Sequence, residues 1–253
     1  MSKAESAGVP LADIVAEAER VLEAARANDV PVRLIGGLAV HLHSDNIPEP
    51  LRRSYGDIDL ATTRAANRRT AELLVELGYE PSREFNALNG NRRLVFYDEQ
   101  NGRKLDVFVE QLELCHSIPI TGRLALDTHT IPLAELLLTK LQVVELTDKD
   151  ARDIVTLLDG HEVGPHDDNA INAEFIAGLT ADDWGLWRTV KLNVERLHEL
   201  APSFSLDAAT QARALGRLDA LWRRIEDEPK SRKWRMRDRV GDRKRWYEVP
   251  DDA

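Results

Sequence analysis

Residues 33–60 read RLIGGLAVHLHSDNIPEPLRRSYGDIDL and join a Gly-Gly turn to a pair of aspartates. Arg33-Leu34-Ile35 follows Pro31-Val32 as a short apolar run with β-branched members. That is the pattern of a buried strand, and it stops at Gly36-Gly37, where a helix is expected to begin. A strand that ends in glycines and opens into a helix leaves backbone N–H groups unpaired at a positive helix terminus, with no Cβ to keep a phosphate away. Gly36 and Gly37 are therefore candidate anion-binding residues. After a loop rich in Pro and Asn comes Gly56-Asp57-Ile58-Asp59-Leu60. Strand periodicity puts Asp57 and Asp59 on one face and Ile58 and Leu60 on the other. Two carboxylates ~7 Å apart on a strand repel each other in a dry environment and are tolerated there mainly when a divalent cation neutralises them. Hard oxygen ligands select Mg²⁺ or Mn²⁺.

A third acid extends the pattern. Lys104-Leu105-Asp106-Val107-Phe108-Val109 is another strand-like run, and Asp106 interrupts its apolar series. Burying that carboxylate without a cation or hydrogen bonds is costly. Three carboxylates on neighbouring strands can hold two ions about 3.5–4 Å apart, one activating an attacking hydroxyl and one clamping a triphosphate.

Gly36-Gly37-Leu38-Ala39, Arg53 followed by Ser54-Tyr55-Gly56-Asp57-Ile58-Asp59-Leu60, and a strand-borne Asp106 together resemble the polymerase-β-type nucleotidyltransferase superfamily. The likeness is to small bacterial members: AbiEii-like toxins of type IV toxin–antitoxin systems, and aminoglycoside or lincosamide nucleotidyltransferases. It covers about the first 160 residues. Tyr55 stands where toxin-like members carry Ser or Thr. The resemblance implies transfer of a nucleoside monophosphate from a nucleoside triphosphate such as ATP, with pyrophosphate leaving. Asp57, Asp59 and Asp106 would be the catalytic metal ligands, and Gly36 and Gly37 would meet the triphosphate. It also implies a lysine on a later helix that reaches the phosphates, here Lys140, and a supporting [RK]-D-x-x-D pattern, here Lys149-Asp150-Ala151-Arg152-Asp153.

Outside these motifs, Leu11 to Ala27 and Asn67 to Leu77 carry apolar residues at three-four spacing and predict scaffold helices, the second stopped by Gly78. Leu94–Tyr97 and Leu105–Val109, separated by residues 98–102, predict a hairpin. The resulting order, α, β, α, β, α, β, β, describes an α/β fold with a mixed sheet backed by helices. From Pro132 the pattern turns helical, which divides the chain into a catalytic domain at 1–130 and a helical C-terminal domain at 131–253. Leu133–Leu146 reads as one long helix in which Lys140 is a lone cation among leucines, so a snorkelling role is its alternative. Asp150 and Asp153 have helix-capping or ion-pair roles as theirs. Gly160–Asp168 reads as a breaker-rich linker with His161 and His166 in solvent, and helices are expected around 170–177, 181–200 and 207–227.

The C-terminal segment 229–247 carries nine Lys or Arg residues against Asp238 and Asp242, a local charge of +7, with Trp234, Trp246 and Tyr247 interleaved. Arginines among exposed aromatics suit an unpaired RNA end such as a tRNA acceptor. A solvated helix, or docking on the acidic body of the chain, is the alternative. The net charge of −10 argues against a general nucleic-acid binder, since nonspecific affinity comes from neutralising phosphates. A lone Cys115 excludes an internal disulfide. No apolar run approaches the ~18 residues of a membrane span, and MSKAESAGVPL lacks the apolar core of a signal peptide, so a cytoplasmic protein is expected. The acceptor stays open between RNA, with a cognate antitoxin as partner, and a small cationic drug. A catalytically silent nucleotide-binding regulator is the reading from another class.

Overall fold

The computed structural model describes residues 8–44 and 46–249. Residues 1–7, most of the stretch read for a signal peptide, lie outside them. The chain clusters into two units, the first comprising 1–39, 54–112 and 119–131, the second 40–53, 113–118 and 132–253.

The first unit is a five-stranded mixed sheet in the order β1-β2-β5-β4-β3, with β1 at Val32–Ile35, β2 at Asp57–Thr62, β3 at Glu80–Pro81, β4 at Arg93–Asp98 and β5 at Arg103–Val109. Only β2 and β5 run parallel; the other pairs are antiparallel. The predicted 94–109 hairpin is therefore present. The apolar sides of the strands, including Leu34, Ile58, Leu60, Leu105 and Val107, are excluded from water. Helix α1 (Ile14–Ala27) packs on β1 and β2 and beside α3 (Asn67–Glu76). Asp13 caps α1 by accepting from Ala16 N–H, which starts the helix three residues later than its apolar pattern. A short α2 (Gly36–Leu42) follows β1 directly. Sequence periodicity missed β3 and α4 (Arg83–Asn89), a two-residue strand and a two-turn helix too short to carry a repeat.

The second unit is helical apart from β8 (Glu162–Gly164) and β9 (Ala170–Asn172), which pair in parallel. Between the two sets of strands, Gln111–Glu113 and Ser117–Pro119 form a ribbon, β6 and β7. The helices are α5 (Leu133–Leu141), α6 (Asp148–Gly160), α7 (Ala173–Asp182), α8 (Trp184–Leu200), α9 (Ala208–Asp227) and α10 (Arg232–Asp238). Helix α5 is central: Leu136, Leu137, Leu138 and Leu141 are fully buried and it touches α6, α7 and α8. It ends at Leu141 rather than Leu146, because Thr147 caps a new helix by accepting from Asp150 N–H. Residues 170–172 are strand rather than helix, and the supposed linker before them supplies the partner strand. His161 is buried, not solvated: its Nε2–H donates to the His43 carbonyl at 3.0 Å, and its ring stands edge-on to His43 beside a cavity of about 370 Å³.

Candidate active site

In the first unit, Asp59 and Asp106 are register partners across the parallel β2–β5 ladder, and Asp57 pairs in register with Lys104. Register partners on parallel strands face the same way, so Asp57, Asp59, Lys104 and Asp106 share one side of the sheet. Burial rises along the row: Asp57 is exposed, Asp59 half-buried and Asp106 buried. The apolar residues between them, Ile58 and Leu105, fill the opposite side.

Gly36 completes this geometry. Register pairs Ile35 with Asp59 on the antiparallel β1–β2 ladder, so the chain leaves β1 directly beside the Asp59 carboxylate. A Cβ at Gly36 would lie 2.3 Å from Asp59 Oδ2, and the backbone there has φ +70. Both the left-handed turn and the close approach require glycine.

Two basic residues not singled out from the sequence also belong here. Arg93 Nε donates to Asp106 Oδ1 at 2.8 Å, with its Nη2 at 2.8 Å from the same oxygen, and Lys104 Nζ lies 3.6 Å from Asp106 Oδ2. The Arg93 guanidinium is held between the rings of Phe85 and Phe108, at 5.9 and 5.2 Å. Lys104 was findable, since it stands two residues before Asp106 on the same strand. Arg93 was not, because it reaches Asp106 diagonally across a β4–β5 register that the sequence leaves open. The buried carboxylate thus has cationic partners of its own. Among the described residues, no three His, Cys, Asp or Glu side chains are already gathered as a metal-ligating group.

Lys140, Asp150 and Asp153 lie in the second unit and form one cluster. Lys140 Nζ is 3.0 Å from Asp153 Oδ2 and 3.4 Å from Asp150 Oδ1. Arg53 grips Asp153 with both arms, Nε to Oδ1 at 2.8 Å and Nη2 to Oδ2 at 2.7 Å. Asp150 also accepts from the Thr147 hydroxyl at 2.6 Å. The lone cation of α5 is therefore ion-paired within its own unit.

The basic segment 229–247 is folded against α8. Trp234 is buried, Trp246 and Tyr247 are half-buried, and their rings join Trp184, Trp187 and Trp222 in one aromatic cluster. The expectation of freely exposed aromatics is corrected here: the rings bury apolar area that the exposed cations around them cannot. Gly185 makes the seat, since a Cβ there would meet the Trp246 carbonyl at 2.5 Å. Trp246 Nε1 donates to Thr189 Oγ1 at 3.1 Å, and Glu248 N–H donates to the Cys115 carbonyl at 3.0 Å. His116 shares the Thr189 hydroxyl at 2.8 Å, and burial pushes its imidazole below the ordinary value against an opposing pull from Asp183.

A family model described as an uncharacterised nucleotidyltransferase matches residues 11–152, more than half of the chain. No curated protein matches it. Among the described residues, no helix is long and apolar enough to cross a membrane.

Proposed function

The chain belongs to this family of uncharacterised nucleotidyltransferases, and from that premise we propose that it transfers a nucleoside monophosphate from a nucleoside triphosphate to a hydroxyl acceptor by way of Asp57, Asp59 and Asp106. The observation that carries the reading is the in-register pair Asp59 and Asp106 with Asp57 on the same side of the sheet. Carboxylate oxygens are the hard donors that Mg²⁺ or Mn²⁺ prefers, and the absence of a Cβ at Gly36 leaves room for the Asp59 carboxylate beside the turn. Such a cation would supply charge neutralisation at the triphosphate and a lowered pKa for the acceptor hydroxyl.

The chain's own residues do the rest. Gly36 and Gly37 present backbone N–H groups to the triphosphate. Asp106 takes the acceptor proton as the acceptor oxygen bonds to the α-phosphorus and the α–β bridging bond breaks, with pyrophosphate leaving. Arg93 and Lys104 hold Asp106 in place before substrate arrives. Lys140, with Asp150 and Asp153, is the remaining candidate for nucleotide binding.

For the acceptor, the basic segment favours RNA, as in a toxin acting on a tRNA end and held by a cognate antitoxin in the cytoplasm. The rest of the chain, which carries −17 once the +7 segment is set aside, favours a small cationic acceptor instead. Incubation with Mg²⁺, each labelled nucleoside triphosphate and total RNA, or an aminoglycoside or lincosamide, separates the two by which product carries label. A silent regulator is favoured by one observation, the engagement of both Asp106 oxygens by Arg93 and Lys104. Calorimetric binding of nucleotide without any pyrophosphate release across that screen establishes the silent reading and ends the catalytic one.

A further inference from the structure

We propose that the segment 229–247 and the start of α8 form a docking cleft for single-stranded RNA, with one unpaired nucleotide seated in the cleft and the following phosphates tracking the cations of α10 and its extension. The inference builds on the RNA-acceptor reading for its purpose, while its test needs no transfer.

A cavity of about 460 Å³ opens there, within the size range of small-ligand sites, lined by Trp184, Lys233, Trp234, Arg237, Trp246 and Tyr247. Trp234 is 8% exposed, and its Nε1 is a buried polar atom without a hydrogen-bond partner. An indole N–H can only donate, so this group calls for an acceptor such as a phosphate oxygen or a base carbonyl. The other indoles of the cleft are already satisfied: Trp184 donates to Asp238 at 2.7 Å and Trp246 to Thr189. Of the three indoles, only that of Trp234 has no acceptor among the described residues.

Charge agrees with the ring chemistry. The two acids of the segment are exposed but engaged, Asp238 with Trp184 and Asp242 with Arg188, which it meets at 2.8 Å and 3.0 Å. Arg237 is a structural member, stacked 4.4 Å over Trp184 and donating to the Gly241 and Lys244 carbonyls. Lys233, Lys244 and Arg245 are exposed and take part in no ion pair among the described residues. Asp182, Asp183 and Glu248 also line the cavity, so positive charge at the cleft itself is modest. The exposed Arg232, Arg235, Arg239 and Arg243 extend it outward, which suits a chain of phosphates better than a single nucleotide.

The test is binding of a short labelled single-stranded oligoribonucleotide to the full chain in EDTA, with no nucleoside triphosphate. Binding is expected to weaken steeply with salt. Combined Lys233→Ala, Lys244→Ala and Arg245→Ala should weaken it about 10-fold or more and lower the salt slope by ~1 for each phosphate that is no longer neutralised. Trp234→Phe keeps a ring but removes the N–H, and should weaken binding about 10-fold at unchanged salt slope. Unaltered affinity in the surface triple variant, which leaves every packed ring in place, overturns the proposal. So does a duplex of the same sequence binding as tightly, or a nucleoside monophosphate competing at the oligonucleotide's own concentration. Oligonucleotide binding without label on any RNA in the acceptor screen ends the RNA-acceptor reading and leaves this cleft standing.

Discussion

Asp59 and Asp106 face each other across the one parallel strand pair of the sheet, so backbone pairing sets two carboxylates side by side. Their mutual repulsion is offset at Asp106 by Arg93 and Lys104. Asp59→Asn should therefore leave the metal-free protein as stable as the parent or more so, while Mg²⁺ no longer raises its melting temperature. Transfer should fall by two orders of magnitude or more, on the scale of losing a preorganised electrostatic contact. Asp57→Asn should behave alike. Parent-level pyrophosphate release in either variant removes both from the catalytic set.

Gly36 and Gly56 flank the same motif but answer to different constraints. Alanine at Gly36 puts a methyl 2.3 Å from Asp59 Oδ2 in a left-handed backbone, whereas alanine at Gly56 meets nothing within 4 Å. Gly36→Ala should cost about 1–3 kcal/mol and impair nucleotide binding. Gly56→Ala should change stability by under ~1 kcal/mol. Denaturant titration of the pair decides it, and equal midpoints would show that the close approach is not maintained in solution.

The buried Asp153 holds two cations, Arg53 and Lys140. Asp153→Ala removes the carboxylate that Arg53 and Lys140 share, leaving Lys140 with Asp150, and should lower stability by roughly 3 kcal/mol, the scale for removing one member of a buried ion pair. Lys140→Ala leaves Asp153 with Arg53 and should cost less. If Lys140 also meets the nucleotide, its removal raises KM about 10-fold beyond any change in stability. Parent kinetics in a folded Lys140→Ala protein would confine the residue to the scaffold.

His116 is held below its ordinary pKa by burial, so the unfolded chain binds its proton more readily than the folded one. Stability should be full above about pH 6.5 and decline as pH falls from there toward the depressed folded value, then level off. The His116→Gln variant should lose this slope while keeping a hydrogen-bonding partner for Thr189. Melting temperatures across pH 5–8 that decline identically in both proteins would place the acid sensitivity elsewhere.

Legibility in the sequence followed the range of the interactions. The strand at Asp57–Thr62, the turn at Gly36 and the hairpin that brings in Asp106 were all local patterns, and each is present. Period two also put Asp57 and Asp59 on one side without reference to any other strand. What stayed hidden depended on register or tertiary packing. Arg93 touches Asp106 only because β4 and β5 pair as they do, and Leu133–Leu146 divides because Thr147 caps the next helix, a hydroxyl signal overridden by the leucine run. The tail tryptophans looked like an exposed stacking surface because composition cannot show that Gly185 clears a seat for the backbone behind them.

The parallel β2–β5 pairing has a kinetic side. The β4–β5 hairpin closes over a short loop at residues 99–102, but β2 must find β5 across everything from 63 to 102. Loop-closure entropy makes that the later event. Asp59 and Asp106 thus become neighbours only near the end of folding, and pulse-labelled hydrogen exchange should show β4–β5 amides protected before those of β2. If the pair serves nucleotide transfer as proposed, a nascent chain cannot engage substrate through it prematurely, because the pair does not exist until β2 has joined β5.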